Sequence, residues 1–277
     1  MIVTRFAPSP TGYLHIGHAF AAWTAARAGT RFLLRLEDLD LGRTREEFVA
    51  AIFEDLAWLG LSWEEPVLHQ SRRFDAYCDA LAALAPFTYP CFCTRKDIAE
   101  EIAHAVEAPH VNLLSAARTG PGGPLYPGTC RHLSLDERAA RMTRGDSYAV
   151  RLDAAKAMET AGPLAFIEHG HIHTVEPLLF GDVVLARKDM PASYHLAVVV
   201  DDAFQGVTLV TRGEDLLPAA HVQRLLQALL GYSAPAYAHH RLILGTDGRK
   251  FSKRDRSVTI RELRAAGVTP AGVEALL

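Results

Sequence analysis

The sequence predicts an α/β fold built around a parallel sheet, on three observations. The first sixty residues alternate short apolar runs with segments of helical periodicity, the order strand, helix, strand, helix. The same alternation resumes near residue 181, after a long irregular stretch. A chain of 277 residues, 49% of them hydrophobic, can bury the core such a sheet requires.

Ile2 to Phe6 reads as a buried first strand, followed by a loop punctuated by Pro8, Pro10 and Gly12. A helix is expected from about His18 to Ala28, ended by Gly29, and a second strand from Arg31 to Leu36. That strand runs into the acidic cluster Glu37-Asp38-Leu39-Asp40. Thr44-Arg45-Glu46-Glu47 reads as a capping box for the next helix. Phe48, Ile52, Leu56 and Leu59 mark that helix's buried face, and Gly60 is placed to end it. Parallel strands with right-handed crossovers bind ligands at their carboxyl ends, where the Pro-rich loop and the acidic cluster both fall.

A helix from Phe74 to Leu84 places Cys78 as a small core residue. From Tyr89 to Phe180 regularity breaks down around Gly120-Pro121-Gly122-Gly123-Pro124, so residues 89–180 read as an inserted subdomain. The apolar run Leu196-Ala-Val-Val-Val200, ending in Asp201-Asp202, reads as a strand. Val207 to Thr211 is a further strand leading into Arg212-Gly213-Glu214-Asp215, and Pro218 to Leu230 a helix.

Composition narrows the setting. No apolar run approaches the roughly 18–20 residues of a membrane span, and the N-terminus lacks the pattern of a signal peptide, so a cytoplasmic location is expected. Cys78, Cys91, Cys93 and Cys130 are too few for a disulfide scaffold in a chain of this length. A net charge of −3 gives no bulk attraction to nucleic acid, so an RNA partner must meet a local basic patch. Arg249, Lys250, Arg254 and Arg256 form one basic group that reads equally as an RNA contact or a solvated turn. Nothing calls for an assembly beyond a monomer.

Two short clusters carry the chemistry. Arg5-Phe6-Ala7-Pro8-Ser9-Pro10-Thr11-Gly12-Tyr13-Leu14-His15-Ile16-Gly17-His18 runs from a strand into a helix start, where free N–H groups favour phosphate. His15 and His18, three apart, share a face there, and Gly17 lets a flat ring such as adenine approach the backbone. Alone, this also reads as a polar loop with two surface histidines. Lys250-Phe251-Ser252-Lys253-Arg254 places cations on a loop suited to the charge that develops on a triphosphate. Alone, that too reads as a basic turn.

Together the clusters resemble the HIGH and KMSKS elements of class I aminoacyl-tRNA synthetases. The strand end Arg35-Leu36-Glu37-Asp38-Leu39-Asp40, Tyr194 with the following Leu-Ala-Val-Val-Val-Asp-Asp, and Thr211-Arg212-Gly213-Glu214-Asp215 resemble glutamyl-tRNA synthetase motifs in order. The resemblance implies that Arg5, Phe6, Ala7, Pro8, Ser9, Glu37, Tyr194 and Arg212 hold L-glutamate. It implies that His15, Gly17, His18, Lys250, Ser252 and Lys253 bind Mg-ATP, with His15, His18 and Lys253 stabilising phosphate charge. The chemistry agrees: Arg5 and Arg212 suit carboxylates and Glu37 suits an ammonium.

The chain ends soon after Lys253, short of the ~100 residues that an independent anticodon-binding domain needs. The resemblance is therefore closer to the glutamyl-Q tRNA(Asp) synthetases. It implies tRNA-independent formation of glutamyl-adenylate and transfer of glutamate to queuosine at the wobble position of tRNA(Asp). Two other readings stay open: a truncated glutamyl-tRNA synthetase charging the 3′ end of tRNA(Glu) or tRNA(Gln), and a silent RNA-binding paralogue. Cys91-Phe92-Cys93 and Tyr126-Pro127-Gly128-Thr129-Cys130 resemble the zinc site of that family, implying Cys91, Cys93, Tyr126 and Cys130 as ligands of one structural Zn2+. The expected architecture is a Rossmann-like catalytic core (1–88 and 181–230), an inserted zinc-binding subdomain (89–180) and a short, stem-contact-like C-terminal region (231–277) carrying the KFSKR loop. His169, His171 and His173 would share a face on a strand, as solvated or RNA-facing groups or as a second metal site.

Overall fold

The computed structural model describes residues 1–107, 119–121, 123–243 and 258–277, with side chains of 104–107 left aside. Lys250, Ser252, Lys253 and the basic group around them lie outside the described residues.

The first half runs β1 (Val3–Phe6), α1 (Ile16–Ala28), β2 (Arg31–Leu36), α2 (Glu46–Trp58), β3 (Glu64–His69) and α3 (Phe74–Ala83). β1, β2 and β3 pair in parallel, in that order. Next come β4 (Thr88–Cys91), α4 (Arg95–Glu107), the two-residue strands β5 (Thr119–Gly120) and β6 (Gly123–Pro124), α5 (Leu135–Thr143), β7 (Ala149–Leu152) and α6 (Ala154–Ala161). The chain continues through β8 (Ala165–Glu168), β9 (His171–Thr174), β10 (Val184–Ala186), α7 (Tyr194–Phe204), β11 (Leu209–Gly213), α8 (Ala219–Leu229), β12 (Ala236–His240), α9 (Ile260–Ala265) and α10 (Pro270–Glu274). A second sheet has the order β11-β12-β8-β9, parallel except for the β8–β9 hairpin. It meets the first at Val3, whose N–H donates to Thr208 Oγ1 and whose carbonyl accepts Thr208 N–H.

Antiparallel β10-β7-β4 form a separate small sheet. The insertion is thus interleaved with the core. β8 and β9, within 89–180, join the parallel sheet through β12, whereas β10, within 181–230, pairs with β7. Phe166 of β8 explains the first exchange, since it packs with Val210 and Tyr237 in the apolar cluster between the strands.

Three local expectations change. Leu196–Val200 is the middle of helix α7, opened by the Ser193 side chain accepting Leu196 N–H. Every residue from Leu196 to Asp202 is buried, so this helix has no polar face to give it away in sequence. Thr44 does not cap α2; Arg45 occupies that position without a side-chain bond, and Glu46 and Glu47 favour the helix start through its dipole. Cys78 is exposed, because α3 buries Tyr77 and Ala80 instead. Gly60, at φ +77°, closes α2 as the sequence suggests.

Asp201 and Asp202 of α7 tie the two halves together. Asp202 accepts Arg5 Nε at 3.0 Å and Arg35 Nη2 at 2.5 Å, with Arg35 fully buried. Asp201, one position earlier, accepts Arg73 Nε, Tyr77 Oη and Gln70 Nε2, all within 2.8 Å. Burial opposes ionisation of Asp202, yet Arg5 and Arg35 hold its carboxyl below the usual carboxylate range. Asp202→Ala strands two buried guanidiniums and is expected to cost about 3–5 kcal/mol in urea unfolding.

Candidate active site

The carboxyl ends of β1 and β2 and the amino end of α7 border a cleft of about 340 Å3, lined by Ser9, Thr11, Glu37, Gln70, Ser193 and Tyr194 among others. Glu37 follows β2 directly, and its backbone N–H donates to Pro8 O at 3.0 Å, which fixes the Pro-rich loop over the strand end. Burial pushes the Glu37 carboxyl up to about 7; Arg35 and Arg5 pull it down, while Asp202 and Asp201 add to the rise.

Arg212, on β11, is almost fully committed. Its Nη1 donates to Tyr194 Oη at 3.1 Å and Gln223 Oε1 at 2.8 Å, and its Nε to His239 Nε2 at 2.9 Å. The Tyr237 ring lies 5.3 Å from its guanidinium carbon. His239 in turn faces Glu168, with Nδ1 2.8 Å from Oε2. Burial, then the charge of Arg212, lowers the His239 pKa against the pull of Glu168. Nearby His195 is lowered to about 4 by burial and by Arg212. Arg5 turns its guanidinium to Asp202 and to Thr211 O, at 3.3 Å.

His15 and His18 form the capping box of α1. His15 Nδ1 accepts Gly17 N–H at 3.1 Å, and His18 Nδ1 accepts His15 N–H at 3.1 Å. Each neutral ring therefore carries its proton on Nε2. The rings lie 3.8 Å apart. A Cβ on Gly17 would sit 3.1 Å from His15 Cε1, so the glycine also makes room for the cap. Beyond residues 244–257 the chain returns here, as Thr259 bridges to His15 and Ile260 N–H donates to Leu14 O at 2.8 Å.

Ser9, Glu37 and Tyr194 thus share one cleft, and Arg212 joins it through the Tyr194 hydroxyl. Phe6 and Pro8 are buried as packing beneath it, with Ala7 half-buried between them. Sequence reasoning missed Arg35, Asp202, Gln223, Glu168 and His239. Arg35 carried a signal, a cation between the apolar residues Phe32-Leu33-Leu34 and Leu36 of β2. Glu168 and His239 carried none, being 71 positions apart.

A separate cluster lies in the insertion. The sulfurs of Cys91, Cys93 and Cys130 lie within 4.8 Å of one another. Cys93 Sγ is 3.4 Å from Cys130 Sγ and 3.5 Å from Tyr126 Oη, which also accepts Cys130 N–H at 2.8 Å. Sulfur ligands about 2.3 Å from a tetrahedral zinc lie roughly 3.8 Å apart, so this donor set fits a metal ion. Among the described residues no other group of three such ligands converges. His171 and His173 do lie on β9, but His173 stacks on Phe166 and His169 turns to His239 O.

The family of class I tRNA synthetases (E and Q), catalytic domain, matches residues 1–275. Glutamyl-Q tRNA(Asp) synthetase of Rhodobacter capsulatus is 44% identical across 100% of this chain and 99% of its own length. That of Nocardia farcinica is 45% identical across 99% of this chain and 82% of its length. The glutamate–tRNA ligase of Aquifex aeolicus is 37% identical, but this chain spans only 55% of it. Among solved structures, glutamate-tRNA synthetase of Elizabethkingia anophelis matches with a TM-score of 0.72 and 28% identity, over 92% of this chain and 53% of that one. Among the described residues no helix is long and apolar enough to cross a membrane. The chain belongs to the class I tRNA synthetases of the E and Q type, within the glutamyl-Q tRNA(Asp) synthetase family.

Proposed function

We propose that this protein activates L-glutamate with Mg-ATP in the absence of tRNA and transfers it to queuosine at the wobble position of tRNA(Asp). The observation that carries the first step is one cleft edged by a half-buried carboxylate, Glu37, and reached by a held guanidinium, Arg212. Glutamate has two carboxylates and one ammonium; Arg212 with Tyr194 takes a carboxylate, and Glu37 takes the ammonium. Ser9 and the backbone around Phe6, Ala7 and Pro8 form the wall beside it, and Arg5 braces the floor through Asp202.

The glutamate α-carboxylate attacks the α-phosphorus of ATP and pyrophosphate leaves, giving the mixed anhydride. His15 and His18 offer Nε2–H groups to the phosphates at the amino end of α1, over Gly17. Lys250, Ser252 and Lys253, outside the described residues, complete the phosphate site, and Mg2+ accompanies ATP. A cyclopentene hydroxyl of queuosine then attacks the activated carbonyl and AMP leaves. Alignment and charge stabilisation supply the rate, with no covalent enzyme intermediate. Cys91, Cys93, Tyr126 and Cys130 hold one structural Zn2+, which orders the insertion.

Pyrophosphate exchange across the twenty amino acids, without tRNA, tests the first step: exchange with glutamate alone is expected, and its absence would remove the reading. Arg212→Ala should raise KM for glutamate about tenfold or more. Glu37 binds an ammonium only when ionised, and its carboxyl sits near 7 rather than in the usual range. For glutamate, kcat/KM should therefore fall as pH drops below about 7, and Glu37→Gln should be lower and flat with pH. Elemental analysis should find about one zinc per chain, lost in Cys130→Ser together with thermal stability of the insertion.

A further inference from the structure

Arg212, His239 and Glu168 stand near the carboxyl ends of three neighbouring strands, β11, β12 and β8, with Arg212 and His239 direct partners in register. All three are buried. Because Arg212 Nε–H points at His239 Nε2, 2.9 Å away, that nitrogen must be the acceptor of the ring. The ring proton therefore lies on Nδ1 and is donated to Glu168 Oε2 at 2.8 Å. The other oxygen of Glu168 accepts the backbone N–H of His239 at 2.9 Å, which fixes the carboxylate itself. His239 cannot change tautomer without turning an Nε2–H against the Nε–H of Arg212 and leaving Glu168 Oε2 without its donor.

The far side of Arg212 differs. Its Nη2 is buried and has no hydrogen-bond partner among the described residues, and the same holds for Nε2 of Gln223, whose Oε1 accepts Arg212 Nη1. Both unmatched atoms are donors. A carboxylate offers them acceptors alone, whereas a carboxamide brings N–H groups of its own.

We propose that Glu168 and His239 are positioning residues that lock Arg212 with Nη2 presented to the side-chain carboxylate of the amino-acid substrate, and so set the preference for glutamate over glutamine. The proposal rests on Arg212 holding glutamate, as assigned above. Glu168→Gln is the sharpest perturbation. Either its amide nitrogen faces His239 Nδ1, driving the ring proton to Nε2 against Arg212, or it faces the His239 backbone N–H.

The test is tRNA-free pyrophosphate exchange, with glutamate and with glutamine, for Glu168→Gln, His239→Leu, His239→Gln and Arg212→Ala. Glu168→Gln and His239→Leu are expected to raise KM for glutamate roughly ten- to a hundredfold, leave KM for ATP unchanged and erode the preference over glutamine. His239→Gln, whose amide can accept from Arg212 and donate to Glu168, should recover most of that loss. Glutamate KM within about twofold of the unaltered protein in both Glu168→Gln and His239→Leu, with Arg212→Ala impaired, overturns the proposal and leaves the role of Arg212 intact. Equal rises in both KM values overturn it as well, since they report general damage. An unimpaired Arg212→Ala defeats the underlying assignment itself.

Discussion

The site depends on one shared carboxylate. Asp202 lies in the fully buried stretch Leu196–Asp202 of its helix and receives a guanidinium from each of two neighbouring strands, Arg5 from β1 and Arg35 from β2. Taking three charges out of water is costly; each guanidinium finds a further acceptor, Thr211 O for Arg5 and Gln205 Oε1 for Arg35, while Arg35 Nη1 has none among the described residues. What the arrangement secures is position. It sets α7 at a fixed height over the sheet, and α7 begins with Tyr194, whose hydroxyl reaches Arg212. Burial raises the Glu37 carboxyl most, and the same charges act on it after that, Arg35 and Arg5 in one direction and Asp202 and Asp201 in the other.

A similar economy of parts operates at the start of α1. A helix opening has unsatisfied N–H groups, and here two of the nearby N–H groups are taken by the Nδ1 atoms of His15 and His18. Capping in this way directs the proton-bearing Nε2 of each ring away from the helix backbone. The residues that cap the helix start are thus the ones that turn N–H groups outward beside it. Leu14 O and His15 also receive the returning chain at Ile260 and Thr259, so the segment after the Lys253 loop is anchored beside the same helix start.

Much of this was legible in the sequence, and the failures have physical causes. The strand from Arg31 to Leu36 and the termination of α2 at Gly60 followed from alternation and turn chemistry. The apolar stretch Leu196–Val200 did not declare itself, because a helix buried on every face has the same composition as a buried strand. The misplaced cap at Thr44 and the exposed Cys78 are phase errors of one residue within correctly placed helices. Around the cleft, the residues the sequence singles out come from short contiguous motifs, and the structure brings Glu37 and Tyr194 to one cleft with Arg212 bonded to the Tyr194 hydroxyl. Glu168 and His239 were not, since only strand order and register bring them to Arg212.

The insertion and the core communicate through a comparable buried acid. Asp182 accepts Tyr89 Oη at 2.5 Å, Arg131 Nη1 at 3.1 Å and Ala154 N–H at 3.2 Å, while its carbonyl accepts Arg151 Nη1 at 2.7 Å. Tyr89 and Arg131 lie two and one residues from Cys91 and Cys130, and Arg151 stacks over the ring of Tyr126 at 3.9 Å. Ala154 opens α6, which packs against α8, the helix that supplies Gln223. Asp182 and α6 thus link the cysteine cluster to the helix that carries Gln223, and Lys188 Nζ donating to Phe92 O gives a second link beside the cleft.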